Sequence, residues 1–415
     1  MSMEEENRLA AEETYKNDRA HVIHSWSVQS KLKPIVISKA KGCYFWDGNG
    51  KKYLDMYSQL VNLNIGHQHP KVVKAIQDQA GKLCYAAPGL AVEPRSTLAK
   101  LLSEVTPEGM NHFFFTNGGS DANENAVKIA RLATGKWKII SRYRSYHGAT
   151  YGAISLTGEP RRTQVEPGMP GVVRAFDPYC YRCAFGKEYG KCNIECVKHV
   201  EEIIKFEDPN TIAGIIFEGI TGSNGIFIPP PEYYKGIRAL CDKYNILLID
   251  DEVMSGFGRT GEWFAVDNFG IVPDIMTVAK GINSGYVPLG AVCLTDKVSD
   301  SIYDKFLSCG LTYSGHPLAC AAAIATINAY KDEKIIENAK KQGQLVLKRM
   351  KDMMAKHKCV GNVRTMGLFG CIELVKNRET REPMVPWNGS GEVMDKVSAS
   401  FLADGVYMDV RWNYI

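Results

Sequence analysis

Four short stretches carry residue types that can do chemistry, and each follows an apolar run. Lys280 follows DIMTVA and opens the turn GINSGYVPLG. A lysine at the end of a buried strand loses its proton more easily than a solvated one. It then acts as an amine nucleophile suited to a Schiff base with a carbonyl. The run ILLI ends on Asp250, Asp251 and Glu252. Carboxylates there are costly unless cations or hydrogen-bond donors meet them. Alternation along a strand puts Asp250 and Glu252 on one face and Asp251 on the other. Gly118-Gly119-Ser120 follows FFFT and begins a helical pattern, with apolar positions at Ala122, Ala126, Ile129, Ala130 and Ala133 and Ser120 as the expected N-cap. Glycines at a helix start let an anion approach free backbone N–H groups. Tyr146 and His147 follow KIISRY, and an aromatic beside Gly148 can stack on a flat heteroaromatic ring.

Taken singly, each stretch has a plain structural explanation: a turn, a surface loop, a salt bridge, a snorkelling lysine. The glycine turn is neither a Walker motif nor GxGxxG. Together the four supply a phosphate cradle, a stacking ring, a carboxylate and a Schiff-base lysine, which is what pyridoxal phosphate requires. The carboxylate matters because it keeps the pyridine nitrogen protonated, so that the ring draws in the electrons of a carbanion.

The elements that must position these groups are legible as a rhythm. Strand-like runs FFFT (113–116), KIISRY (138–143), IAGIIFE (212–218), ILLID (246–250), DIMTVA (274–279) and GAVCLT (290–295) alternate with helical patterns. That implies an α/β fold with a mostly parallel sheet between helices, with ligands beyond the carboxyl ends of the strands. Before this region, YFWDGNGKKYLDM reads as a hairpin turning at Gly48-Asn49-Gly50. After it come two helical stretches and a β-rich end, VRTMGLFGCIELV and VYMDVRWNYI. The expected organisation is an N-terminal segment and part of a small α+β domain over 1–75, a large cofactor-binding domain over 76–325, and the rest of the small domain over 326–415.

Composition narrows the function classes. The chain has 415 residues with 50 Lys+Arg against 46 Asp+Glu, a net charge of +4, which argues against a nucleic-acid surface. No apolar run reaches the roughly 18 residues of a membrane span. The acidic start MSMEEENRLAAEETYKNDR has no secretory pattern, and the 12 cysteines are too sparse for a disulfide scaffold, so free thiols in a cytoplasm are expected. Cys180, Cys183, Cys192 and Cys196 form C-x2-C-x8-C-x3-C, a spacing that could hold structural zinc; free thiols or an occasional disulfide are the alternatives.

With these motifs in place the sequence resembles a class III pyridoxal-phosphate aminotransferase, a fold-type I enzyme, from HSWSV to the end of the chain. IDDEVMSGFGRTG, DIMTVAKG with its lysine 29 residues after Asp251, and GLTYSGHPLACAAA carry the resemblance. YFWDGNGKKYLDMYSQLVNLNIGHQHP and FDPYCYRCAFG make it most similar to the ω-amino acid:pyruvate branch, the taurine:pyruvate members in particular. The resemblance implies that Lys280 forms the internal aldimine and then shuttles the proton. It implies that Asp251 pairs with the pyridine nitrogen, that Val253 packs on the ring face opposite Tyr146, and that Gly119 and Ser120 give backbone amides to the phosphate. By the same resemblance His147 belongs to the cofactor site, Glu218 helps shape it, and Thr312 reaches the phosphate of a neighbouring subunit. The enzyme is therefore expected to be a homodimer with shared active sites, or a tetramer.

The resemblance also implies a substrate entrance lined by Trp26, Tyr57 and Val61. The family's carboxylate-binding arginine aligns with Asp409, but Arg411 shares its strand face and can offer a planar fork to a carboxylate or sulfonate. Two further departures are tolerable: Gly118 replaces a serine, and Gly219 replaces the proline after Glu218. Relatives continue past the last strand, so the small domain is expected to be truncated at Ile415. The implied reaction moves an amino group from an ω-amino donor (taurine, β-alanine, 4-aminobutyrate or a diamine) to pyruvate through pyridoxamine phosphate. A same-fold aminomutase or racemase is the rival reading, and a metal-binding scaffold protein is a remote one.

Overall fold

A computed structural model describes residues 3–415. Its centre is a seven-stranded sheet in the order Met110–Thr116, Gly290–Thr295, Ile275–Val278, Leu247–Asp251, Ile212–Glu218, Lys138–Arg142, Val172–Ala175. Only Gly290–Thr295 runs antiparallel to its neighbours; the pairings from Ile275–Val278 to Val172–Ala175 are all parallel. The strands Ile212–Glu218 and Leu247–Asp251 are buried along their whole length, which is why their sequences are continuous apolar runs. Helices cover both faces. The helix Gly119–Thr134 buries Ala122, Ala126, Ile129 and Ala130 against one face, and Pro231–Tyr244 lies on the other.

The six expected strands are present, with ends shifted by up to three residues. The seventh, Val172–Ala175, was not anticipated; it is a short, half-buried edge strand whose VVRA sequence has too few residues to show a period. The hairpin Tyr44–Asp47 with Lys52–Asp55 forms as expected and gains Ile37–Lys41 and Val406–Tyr407 to make a four-stranded sheet. A second hairpin, Val360–Met366 with Phe369–Asn377, follows the helices Pro317–Asp332 and Ile335–Lys356. The last residues pair with it: Ile372 and Ile415 exchange both backbone hydrogen bonds, and Leu374 N–H donates to the Asn413 carbonyl (2.8 Å).

Beneath this join lies Glu373, fully buried. Its carboxylate accepts from Arg364 Nη1 (2.8 Å), from Arg182 and Tyr179, and from Asn413 Nδ2 (3.3 Å). Three distant segments are thus fastened to one carboxylate. Among the described residues no helix is long and apolar enough to cross a membrane.

Candidate active site

The carboxyl ends of the central strands open into a cavity of about 330 Å³. Lys280, Asp251, Gly119, Ser120, Tyr146, His147, Glu218, Val253, Trp26, Val61 and Arg411, all singled out from the sequence, line it, as does Tyr57. Thr312 does not; it is exposed on the surface, where its carbonyl accepts from Tyr85 Oη (2.9 Å).

Lys280 sits where the strand Ile275–Val278 gives way to a short 3₁₀ turn, Lys280–Ile282. Its φ of 45° is in the left-handed region that a lysine rarely adopts, a strain of about 1–3 kcal/mol that clusters at functional sites. Burial pushes its ammonium down to about 8; Arg259 and Arg161 push the same way, and Asp251 and Glu218 oppose them. The lysine is therefore partly unprotonated near neutral pH.

Asp251 ends the strand Leu247–Asp251 and is buried. Its Oδ2 accepts from Asn123 Nδ2 (2.7 Å) and lies 2.8 Å from His147 Nδ1, while its Oδ1 accepts from Val253 N–H (3.0 Å). Asn123 is itself fixed by Thr277 Oγ1 (2.7 Å) and by the His147 carbonyl (2.7 Å). The alternation argument holds: Asp251 faces the cavity, and Asp250 and Glu252 are buried on the other face. Burial pushes both of those carboxyls up, Glu252 to about 7; Glu252 adds to the rise at Asp250, while Ser255, the Val266 N–H and Asp250 hold Glu252 down.

Glu218 is also buried. Its Oε1 accepts from Tyr146 N–H (3.1 Å) and its Oε2 from Gly222 N–H (2.7 Å), so it fixes the backbone that carries the Tyr146 ring. Desolvation raises its carboxyl above the ordinary range.

The helix Gly119–Thr134 starts at the cavity. Its N-cap is Gly118, with no side-chain cap, not Ser120 as the sequence suggested. Ser120 lies inside the first turn, and its hydroxyl accepts instead from Ala149 N–H (3.0 Å). The helix thus starts two residues before the position that a Ser120 cap would give. The first-turn N–H groups stay free of a capping side chain, which makes a better anion cradle than a capped helix would. A Cβ on Gly119 would lie 2.6 Å from Val253 Cγ1, so the glycine is what allows Val253 to pack there.

At the mouth, Trp26 meets the Tyr146 ring edge-on (6.3 Å between centroids). Two arginines line the cavity. Arg411 lies in the C-terminal segment, 3.8 Å from Asp409. Arg161, absent from the sequence-based expectation, comes from the loop EPRRTQVEPGMPG. The short helix Tyr151–Leu156 turns that loop back over Tyr146, a fold-back with no local sequence signal. Asn123 was missed for a similar reason: one asparagine in a helix declares nothing until the strand opposite it is known.

The four cysteines lie elsewhere, around a separate small cavity of about 20 Å³. The expected zinc site is not borne out: among the described residues no three His, Cys, Asp or Glu side chains are placed to hold a metal ion. All four are free thiols, split between a 3₁₀ turn (Cys180–Arg182), the residue after it (Cys183), a loop (Cys192) and the first turn of a helix (Cys196). Burial and the neighbouring thiols push Cys180 up to about 11 and Cys196 up to about 12, so both stay protonated at neutral pH.

Comparison with known proteins decides the family. The model of the aminotransferase class-III family matches residues 26–410. The chain belongs to the class-III aminotransferases. This class-III aminotransferase is 37% identical to the taurine–pyruvate aminotransferase of Bilophila wadsworthia over 88% of its own length and 83% of that protein. It is also 39% identical to the leucine/methionine racemase of Thermococcus litoralis, over 84% of its length and 79% of the racemase. Its fold matches the crystal structure of a taurine:2-oxoglutarate aminotransferase from Bifidobacterium kashiwanohense in complex with PLP and glutamate. There the TM-score is 0.93 and the identity 43%, with 98% of this chain and 92% of that one covered. The aminotransferase is thus a pyridoxal-phosphate transaminase of fold type I. Its cavity fits the cofactor: a buried carboxylate already oriented by three donors, an amine of lowered proton affinity, an aromatic face and an uncapped helix start share one space.

Proposed function

We propose that this aminotransferase moves an amino group from an acid-bearing ω-amine, such as taurine or β-alanine, to pyruvate. The observation that carries the reading is the placing of Arg411 on the same cavity as Lys280 and Asp251, so that one substrate can present an amine to the lysine and an acid group to an arginine. Bound there, pyridoxal phosphate would supply an electrophilic carbonyl carbon and an electron-withdrawing ring.

Each side chain has a part. Lys280 is the attachment point for the cofactor and, once freed, the base that takes a proton from the amine-bearing carbon; its depressed proton affinity suits that work near neutral pH. Asp251, held by Asn123, His147 and the Val253 N–H, keeps the ring nitrogen protonated. His147 thus acts by orienting Asp251. Gly119 and Ser120 take the phosphate on backbone N–H groups, and Tyr146 and Val253 enclose the ring. Trp26, Tyr57 and Val61 exclude water from the entrance.

Thr312 is read as serving the cofactor phosphate of a second subunit. The loop that carries it is firmly held: Arg95 Nε donates to the Gly315 carbonyl (3.0 Å), and Arg95 Nη1 donates to those of Pro88 and Leu90. Leu90 and Tyr313 are exposed beside it, an apolar face suited to a dimer.

Titrating the holoenzyme with taurine or β-alanine, without a keto acid, tests the reading. The cofactor absorption should convert to that of pyridoxamine phosphate, and pyruvate should restore it with formation of alanine. Restoration by 2-oxoglutarate but not pyruvate would move the acceptor assignment. A second reading has the racemase relative in its favour: return of the amine to the same carbon skeleton. Loss of optical purity of an amino acid with no alanine formed from pyruvate would select it.

A further inference from the structure

Arg161 has no part in the scheme above, yet its placing is specific. It follows the helix Tyr151–Leu156 on a 3₁₀ turn, Pro160–Gln164, and its guanidinium lies over the Tyr146 ring at 3.8 Å and near the Trp26 ring at 5.4 Å. Nε is engaged by the buried carboxylate of Glu159, and Nη2 donates to Ser223 Oγ (3.3 Å). Among the described residues Nη1 has no hydrogen-bond partner, and the side chain keeps 23% of its surface exposed.

The side edge of the guanidinium is thus spent on anchoring, and the end edge, Nη1 with the second proton of Nη2, is free at the cavity. That end edge is the fork that takes two oxygens of a carboxylate or sulfonate. The stacking on Tyr146 and the tie to Glu159 hold the fork in one orientation before substrate arrives, which lowers the ordering cost of binding. Arg411 contrasts with it: its nearest acid, Asp409, is 3.8 Å away. Arg161 and Lys280 line the same cavity of about 330 Å³, so one small molecule can present an amine to the lysine and an acid to Arg161.

We propose that Arg161 is a preorganised acid-recognition residue of this site, binding the sulfonate or carboxylate of a substrate. The assignment rests on the aminotransferase reading with acid-bearing substrates given above. The acid group has two sources, the distal acid of an ω-amine and the α-carboxylate of alanine or pyruvate.

Arg161→Gln and Arg161→Lys, each loaded with cofactor and checked by its absorption band, are titrated with taurine, β-alanine, alanine and the acid-free propylamine. For the glutamine variant the half-saturating concentration of acid-bearing amines should rise at least tenfold, and that of propylamine should change less than threefold. The lysine variant, which keeps the charge but not the fork, should recover part of the loss. A rise confined to taurine and β-alanine places Arg161 at the distal acid; one confined to alanine places it at the α-carboxylate. Equal effects on propylamine, or no effect on any acid, overturn the assignment while the enzyme's reaction stands. A wild-type holoenzyme that converts no acid-bearing amine overturns both the substrate reading and the role of Arg161.

Discussion

Replacing Lys280 with methionine should stabilise the cofactor-free protein, and the gain should vanish in alkali. The lysine's proton affinity falls from 10.5 to about 8 on folding, chiefly by burial. At about 1.4 kcal/mol per tenfold change, that fall is worth about 3.5 kcal/mol. Because the side chain is only half-buried, solvent screening reduces it to about 2 kcal/mol. The sign follows from proton counts. Between pH 8 and 10.5 the unfolded chain holds the lysine proton and the folded chain does not, so wild-type stability rises with pH through that window. Below pH 8 both states are protonated and the full cost of burying the charge is paid by the wild type alone. Methionine fills much of the same volume without a charge. Denaturant unfolding of the two cofactor-free proteins should show Lys280→Met more stable by about 2 kcal/mol at pH 7, with the gap closing towards pH 10.5. All other groups titrate in both proteins and cancel. A gap that is the same at both pH values, or a variant less stable at pH 7, would refute the argument from burial.

Three further outcomes are expected. Asp251→Asn should retain the fold but slow the taurine or β-alanine half-reaction by at least 100-fold in stopped-flow absorbance, because the amide cannot hold the ring nitrogen protonated. Gly119→Ala should weaken cofactor affinity about tenfold by fluorescence titration, since its Cβ would strike Val253 at 2.6 Å; adding Val253→Ala should restore most of it, and failure of the double variant to do so would separate the phosphate cradle from the valine contact. Treatment with a strong chelator should leave the thermal midpoint unchanged, because the four cysteines are not gathered around a metal; a drop of several degrees would reinstate a metal role for them.

The sequence was most informative where chemistry and local structure coincide. Asp251 ends a strand and Lys280 and Gly119 follow one within three residues, and a strand end is visible as an apolar run meeting polar residues. Alternation separates Asp251 from Asp250 and Glu252 without tertiary knowledge, but it does not say which face meets the cavity; the family resemblance supplied that choice. Arg161 and Asn123 were invisible for the converse reason. Their roles come from a loop folding back over Tyr146 and from a strand residue, Thr277, distant in sequence. The cysteine spacing misled because ligand count and loop length do not fix where four side chains point. Ser120 misled because glycine is itself an accepted N-cap, and the helix takes Gly118 in that place while the serine hydroxyl turns to Ala149 N–H.

The grip on Glu373 has a consequence for how such an enzyme could change its diet. Arg411 stands two residues from Asn413, which shares that carboxylate with Arg182 and Arg364. The arginine at the cavity is therefore aimed from behind, by a knot whose acid touches nothing that reacts. Tyr179, Arg182 and Arg364 touch none of Lys280, Asp251 or Gly119, so the backbone behind Arg411 is held by groups separate from the catalytic ones. A lineage under selection for a longer or shorter donor has there an adjusting screw outside the reaction chamber.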